Sequence, residues 1–191
     1  MSVPDRLLLP WRFDVAPLAA EVAAIPDDEW IPHFNTGIHD GGWSGVALRA
    51  PIDAHSALYP DPTATEFVAT DRLAASPVLA AALDRIPAPL LSARLLRLAP
   101  GARILEHRDH RLGYDDGEVR LHVPVTSAAG AELVVGGRPV PMALGECWYV
   151  DVNRTHSAEN RSAVPRVHLV VDCVVDEALD AVFRAAVADT P

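Results

Sequence analysis

The sequence predicts a mainly β fold, either a barrel or a double-sheet jelly roll, with helices packed outside it. Between residues 91 and 175 the chain contains seven short segments rich in Val and Leu, and turn sequences such as PG, DDG, AAG and GG lie between them. The segments are LSARLLRLA, ARILEH, EVRLHVPV, AELVV, RPVPM, GECWYVDV and RVHLVVDCVV. Strands this short and this closely spaced are typical of barrels and jelly rolls.

The N-terminal half is predicted to supply helices and a few strands. Asp14 precedes VAPLAAEVAAI, and its carboxylate can accept hydrogen bonds from the free amides of a first helical turn. The segment WIPHFNTGIHDGGWSGVALRA alternates and contains a GG turn, which indicates two strands and a loop. Residues 52–70 are predicted to be irregular. Ser76 followed by Pro77 then begins a second helix.

One domain with flanking helices is the expected organisation. Asp176 caps a final helix in EALDAVFRAAVA, where apolar residues recur at helical spacing. A chain of 191 residues is long enough for one sizeable core. We therefore expect a single domain over 1–191, with a cover over about 1–90, the jelly-roll core over about 91–175 and the C-terminal helix over 176–191.

Composition disfavours several classes of partner. Acidic residues outnumber basic ones by 26 to 16, giving a formal charge of -10, so a nucleic-acid-binding face is not expected. The opening MSVPDRLLLPW has no apolar stretch long enough for a signal peptide, and no later segment predicts a membrane span. Cys147 and Cys173 each lie in an apolar run, which favours buried, reduced thiols and a cytoplasmic location.

Three candidate metal ligands lie near strand ends. His107 and Asp109 are two residues apart in ILEHRDH, so on a strand their side chains would share a face. His156 follows the strand GECWYVDV, where we expect the start of a loop at the same mouth of the barrel. Two histidines and one carboxylate on one side of a metal form the facial triad of non-haem Fe(II) oxygenases.

A buried cation is predicted ten residues after His156, where Arg166 begins the strand RVHLVVDC. A guanidinium that enters an apolar strand needs an anion, because an unpaired buried charge is strongly destabilising. Its planar fork matches a carboxylate. A dicarboxylate cosubstrate, bound to iron at one end, would supply that anion at its other end.

Together these motifs resemble the Fe(II)/2-oxoglutarate dioxygenases. Over about residues 90–175, the runs PGARILEHRD, GEVRLHVPV, GECWYVDV, THSAEN and RVHLVVD are similar to the aspartyl/asparaginyl β-hydroxylase family, which has small bacterial proline hydroxylases as relatives. The resemblance implies a cupin-like double-stranded β-helix. It also implies hydroxylation of an amino acid or peptidyl side chain with Fe(II), 2-oxoglutarate and O2, releasing succinate and CO2. His107, Asp109 and His156 would then be the iron ligands, and Arg166 would bind the far carboxylate of 2-oxoglutarate.

The same resemblance assigns two residues of EVRLHVPV, which alternation places on one face. His122 would face the cosubstrate and Arg120 a substrate carboxylate, although His122 could equally be a satisfied core histidine. Arg94 shares strand parity with Leu96, so we expect it to face inward and to help Arg120 bind a free amino acid. Trp43, in the covering segment, is expected to wall the substrate pocket with Trp30, Asn35 and Ser44.

The remaining histidines receive structural roles. His168 shares the inward parity of Arg166, which favours packing or support of the site. His33, His39 and His55 have no spacing that recruits them, and His110 is expected in a solvated loop.

Two departures from the family pattern bear on the reaction. The animal peptide hydroxylases of the family lack the carboxylate ligand, so Asp109 argues against a peptide substrate. Related halogenases free that position for chloride, so Asp109 also favours hydroxylation. The family's serine on the strand before the first ligand is replaced by the apolar Leu96.

Two alternatives stay open at the level of sequence. One is a cupin-like metalloenzyme, an isomerase or a dioxygenase, that works without 2-oxoglutarate and has no need of Arg166. The other is a non-catalytic jelly-roll binding module, against which the intact ligand spacing argues.

Overall fold

The computed structural model describes residues 2–52, 58 and 63–189, and His55 lies outside these described residues. Within these ranges, two antiparallel sheets face each other, and four α-helices flank the larger sheet and its edges. None of the helices in the described ranges has both the length and the hydrophobicity needed to cross a membrane.

The elements follow one another in this order. The strands are β1 (Arg6–Arg12), β2 (Ile31–Pro32), β3 (Trp43–Pro51), β4 (Phe67–Ala69), β5 (Leu90–Leu98), β6 (Arg103–His107), β7 (Glu118–Thr126), β8 (Ala131–Val135), β9 (Arg138–Pro139), β10 (Glu146–Val150), β11 (His156–Asn160) and β12 (Arg166–Val174). The α-helices are α1 (Val15–Ala23), α2 (Asp71–Ala74), α3 (Pro77–Leu83) and α4 (Glu177–Ala188).

The strand order is that of a jelly roll. The larger sheet runs β1-β10-β7-β12-β5-β3-β2, with β4 paired to β3, and the smaller sheet runs β6-β11-β8-β9. From β5 to β12 the chain passes back and forth between the sheets, which winds it into a double-stranded β-helix. The predicted fold class is therefore confirmed.

Strand alternation gives the larger sheet two different faces. On β7, Val119, Leu121 and Val123 are fully buried on the face that packs under the helices. Arg120 and His122 point the other way, into the space between the two sheets. The inner face of this sheet therefore carries polar side chains inside a barrel whose outer face is aliphatic.

The N-terminal segment joins the larger sheet at both edges. β1, which the sequence analysis missed, pairs with β10 from Arg6 opposite Val150 to Leu9 opposite Cys147. At the other edge β3 pairs with β5, and β4 adds a short strand within the stretch 52–70 that was expected to be irregular. The first ninety residues thus extend the sheet as well as covering it.

Helix starts follow the predicted caps. Asp14 accepts a hydrogen bond from the amide of Ala16, and Asp176 accepts one from the amide of Leu179. α3 begins at Pro77 as predicted, but Ser76 makes no side-chain capping bond. Both cysteines are buried and free, as expected.

The C-terminal helix is held by an aromatic contact. Phe183 is fully buried and lies 5.2 Å from the ring of Tyr114 and 5.1 Å from that of Tyr149, between ring centroids. We expect Phe183→Ala to lower the free energy of unfolding by about 3–5 kcal/mol, because it removes a large side chain from a packed core. Arg184→Ala is the control on the same helix, since its exposed pair with Asp180 contributes little. Urea denaturation measures both, and equal losses would contradict this assignment.

Candidate active site

A cavity opens between the two sheets. Leu96, Ile104, Leu133 and Val170 form apolar walls, and Trp43 lies among the lining residues. Histidine, arginine and aspartate side chains reach into the same space. Polar groups converging in a largely apolar cavity are typical of a small-molecule site.

Two histidines meet across the smaller sheet. His107 is the last residue of β6 and His156 the first of β11, and the strand register places them directly opposite each other. Their ring centroids are 4.1 Å apart. His156 was expected at the start of a loop, and that expectation was wrong, because backbone pairing with β6 and β8 begins at His156 itself.

Asp109 completes a three-residue cluster just beyond the end of β6. One donor atom from each of His107, Asp109 and His156 lies within 4.8 Å of the others. The Nε2 atom of His107 is 3.8 Å from Oδ1 of Asp109. Two imidazoles and one carboxylate form a donor set suited to Fe(II).

Both histidines are oriented by backbone carbonyls. Nδ1 of His107 donates to the carbonyl of Leu105 at 2.8 Å, and Nδ1 of His156 donates to that of Arg154 at 3.0 Å. In the neutral form of each ring the lone pair is therefore on Nε2, and Nε2 of His107 lies towards Asp109. Such hydrogen bonds to a ligand's other nitrogen are the usual support of metal-binding histidines.

The protonation states also suit metal binding. Burial, with the neighbouring His107, lowers the pKa of His156 and keeps its ring neutral. Burial acts to raise the pKa of Asp109, but electrostatic interactions, above all that with the charge of Arg120, outweigh it and lower that pKa. A neutral imidazole and an ionised carboxylate are the forms that bind cations.

Arg166 brings an uncompensated positive charge to the cavity. Its side chain is 6% exposed, and burial lowers its pKa to about 10. Nη2 donates to Nδ1 of His168 at 3.1 Å, while no carboxylate of the described residues forms an ion pair with it. An isolated buried guanidinium is unfavourable without an anion, so this end of the cavity fits a ligand carboxylate.

His122 has no hydrogen-bond partner for its ring among the described residues. Both ring nitrogens are buried, and neither is hydrogen-bonded to any residue that the structure describes. Burial and the charge of Arg166 lower its pKa far enough to keep the ring neutral. It lines the cavity with Arg166, so its free nitrogens are available to a ligand there.

A chain of ion pairs connects the larger sheet to Asp109. Asp172, on β12, lies opposite Arg120 in the strand register and accepts from its Nε at 2.7 Å and its Nη2 at 3.0 Å. Asp172 also accepts from Nη2 of Arg94 at 2.6 Å. Arg120 in turn donates through Nη1 to Oδ2 of Asp109.

Comparison with known proteins identifies the family. A model of the aspartyl/asparaginyl beta-hydroxylases matches residues 18–175. The chain belongs to the aspartyl/asparaginyl β-hydroxylase family. This confirms the resemblance carried by the sequence motifs and extends it well upstream of residue 90.

Relatives of this family member include enzymes from bacteria and proteins from animals. The L-proline cis-4-hydroxylase of Rhizobium meliloti (strain 1021) is 34% identical over 79 residues, 41% of this chain and 28% of that protein. The aspartate beta-hydroxylase domain-containing protein 1 of Mus musculus is 37% identical over 78 residues, 39% of this chain and 21% of that protein. The matches thus span under a third of these relatives' length.

Solved structures share the fold of this family member. An oxidoreductase of the 2OG-Fe(II) oxygenase family from Burkholderia pseudomallei has a TM-score of 0.59 at 16% identity, covering 88% of this chain and 84% of that one. The non-heme alpha ketoglutarate dependent epimerase SnoN has a TM-score of 0.53 at 16% identity, covering 89% and 76%. Both support the jelly-roll architecture.

The covering segment of the hydroxylase-family chain places one predicted pocket residue in the cavity. Trp43 lines it and stacks on His33, with ring centroids 3.4 Å apart. Among the residues described, Trp30, Asn35 and Ser44 do not line it, and Trp30 instead belongs to the core under the helices.

The sequence analysis missed Asp172. Arg94 is 4% exposed and faces inward as expected. It contacts Asp172, however, and does not line the described cavity, so the position of Arg94 depends on a carboxylate that the sequence analysis did not consider. A signal was available, because Asp172 has the inward parity of Arg166 within an apolar strand. A buried carboxylate there requires cationic partners.

Proposed function

We propose that this hydroxylase-family chain is an Fe(II)- and 2-oxoglutarate-dependent dioxygenase that hydroxylates an unactivated C–H bond of an amino acid or peptidyl side chain. The observation that carries the proposal is the pairing of two features in one cavity. A His-Asp-His donor set lines this cavity, and so does a buried arginine that has no carboxylate partner among the described residues.

His107, Asp109 and His156 would hold the iron through Nε2, Oδ1 and Nε2. Three protein ligands leave room in the coordination sphere for a cosubstrate. When bound, iron and 2-oxoglutarate would supply oxidative hydroxylation with O2: one oxygen atom enters the product and the other enters succinate, with release of CO2. The protein residues hold the reactants in place, and the apolar walls at Ile104 and Leu133 exclude water.

Arg166 would bind the far carboxylate of 2-oxoglutarate through its fork. His168 accepts one of its hydrogen bonds and so restricts the orientation of the guanidinium. His122, with two free ring nitrogens, would donate to the same cosubstrate.

Arg120 and Trp43 line the cavity and would contact the substrate. Each Nη atom of arginine carries two protons. In Arg120, Nη1 donates one proton to Asp109 and Nη2 donates one to Asp172. The remaining two could donate to a substrate carboxylate. Arg94 would support this subsite through Asp172, which it shares with Arg120. The relative named L-proline cis-4-hydroxylase favours a small amino acid as substrate.

The two alternatives explain less of the cavity. A metalloenzyme without 2-oxoglutarate leaves the buried charge of Arg166 without a function. In a non-catalytic binding module, His107 and His156, whose rings are oriented by backbone carbonyls, would have no function.

The metal and cosubstrate can be tested by spectroscopy. We expect anaerobic addition of Fe(II) and 2-oxoglutarate to the wild-type protein to produce a weak visible charge-transfer band, because the keto acid end chelates the metal. His156→Ala should abolish the band, since it removes a ligand. The exposed His110→Ala, three residues from His107, is the control and should retain it. A folded wild-type protein without the band would contradict the proposal.

The role of Arg166 predicts a loss of cosubstrate binding without a loss of stability. Arg166→Gln should raise the KM for 2-oxoglutarate about 10- to 100-fold, the effect of losing charged hydrogen bonds of about 1.5–3 kcal/mol. The melting temperature of the metal-free protein should stay the same or rise, because an unpaired buried charge is removed.

Arg97→Gln is the matched control for Arg166→Gln. Arg97 lies opposite Val167 in the β5–β12 register and points to the other face of the sheet, towards Asp27. Its variant should leave the KM for 2-oxoglutarate unchanged. An unchanged KM in Arg166→Gln would remove Arg166 from the cosubstrate site.

Substrate class is measured by succinate release across free amino acids and short capped peptides. We expect turnover with a free amino acid whose product is heavier by one oxygen atom in mass spectrometry. Turnover with capped peptides alone would contradict the assignment of Arg120 to a free carboxylate.

A further inference from the structure

Asp109 is held differently from the two histidines beside it. It lies beyond the end of β6, and its side chain is 33% exposed, whereas His107 and His156 are paired strand residues. Its amide donates to the carbonyl of Val152 at 2.9 Å, which fixes the backbone but not the carboxylate. A carboxylate in this setting needs a side-chain partner to present one particular oxygen to a cation.

Arg120 is that partner. Its Nη1 donates to Oδ2 of Asp109, while Oδ1 is the oxygen that lies 3.8 Å from Nε2 of His107. The two oxygens thus have separate contacts, one with the guanidinium and one towards the His-Asp-His cluster. This arrangement favours binding of a cation through Oδ1 alone.

The orientation of Arg120 is set in turn by Asp172. Nε and Nη2 form a two-point contact with both oxygens of Asp172, which fixes the plane of the guanidinium. Asp172 is 4% exposed in its side chain, and Arg94 makes a separate, single contact with its Oδ2, which leaves the two-point contact with Arg120 intact. With Asp172 in place, the direction of the remaining Nη1 donor is determined.

We propose that Arg120 is a positioning residue that holds Asp109 in its metal-binding orientation, and that Asp172 fixes Arg120 for this task. The inference rests on the proposed function, because it assigns a role towards the metal. It adds to the substrate contact proposed for Arg120, since the two roles use different protons of the guanidinium.

The direction of the effect distinguishes positioning from simple electrostatics. Arg120 is a cation next to a divalent metal site, so by Coulomb repulsion alone its removal should strengthen metal binding. If it acts by orienting Asp109, its removal should weaken metal binding.

The test is calorimetric titration of the metal-free protein with Co(II), without 2-oxoglutarate or substrate. We expect Arg120→Gln to weaken Co(II) binding about 10- to 100-fold, the usual consequence of losing the partner of a metal ligand. The visible bands of bound Co(II) should also shift, because they report the ligand geometry. Arg120→Gln should fold, since Asp172 keeps Arg94 as its partner.

Arg94→Gln is the matched control. Like Arg120, Arg94 is a buried arginine that donates to Asp172, but it makes no hydrogen bond to Asp109. Its Co(II) affinity and Co(II) bands should match those of the wild type. Equal weakening in Arg94→Gln would mean that loss of any cation from this network disturbs the site, which would overturn the proposal.

The Asp109→Ala background provides the second arm. If Arg120 acts through Asp109, then adding Arg120→Gln to Asp109→Ala should cause no further weakening of Co(II) binding. A further tenfold loss in that background, or unweakened binding in the single Arg120→Gln variant, would overturn the proposal. A wild-type protein that binds no Co(II) would instead contradict the proposed function.

Discussion

Buried guanidinium groups organise the interior of this barrel. Arg94 and Arg120 share Asp172, and Arg120 also reaches Asp109, so these cations are neutralised within the protein. Burial acts to lower the pKa of Arg120, but the two aspartates outweigh it and raise that pKa. Among the described residues, Arg166 has a neutral histidine as its side-chain hydrogen-bond partner, and burial lowers its pKa. A compensated charge supports the structure, whereas an uncompensated one creates a place for an anionic ligand.

Because of strand alternation, the side chains that stabilise the fold lie on one face of the larger sheet and those of the candidate site lie on the other. On β12, Val167, Leu169 and Val171 face the helices, while Arg166 and Asp172 point to the other side, where Arg166 lines the cavity. Side chains two residues apart therefore serve the same function, and adjacent ones serve different functions. The aliphatic face supplies the packing that holds the polar face rigid. Because the sheet is rigid, Arg120 and Asp172 within its strands can orient the carboxylate of Asp109, which lies beyond the end of β6.

Much of the fold followed from patterns that are local in sequence. The Val- and Leu-rich segments with their turns predicted the strands from β5 to β10 and β12, and Asp14 and Asp176 predicted two helix starts. β1 was missed because RLLLPWR carries a proline and becomes a strand only by pairing with β10, far along the chain. His156 was misplaced for the same reason, since a polar segment such as THSAEN forms a strand only between β6 and β8.

At the site, local sequence patterns were enough to establish which chemical groups are present and which of them share a strand face. The spacing of His107 and Asp109, the later His156 and the arginine ten residues beyond it indicated metal and cosubstrate chemistry. Which charges neutralise each other followed only from the folded chain, because Asp172 contacts Arg120 through the register of β7 and β12 and contacts Arg94 on the neighbouring strand β5. Electrostatic pairing depends on distance in space, and strand parity specifies the face of a side chain but not the partner opposite it.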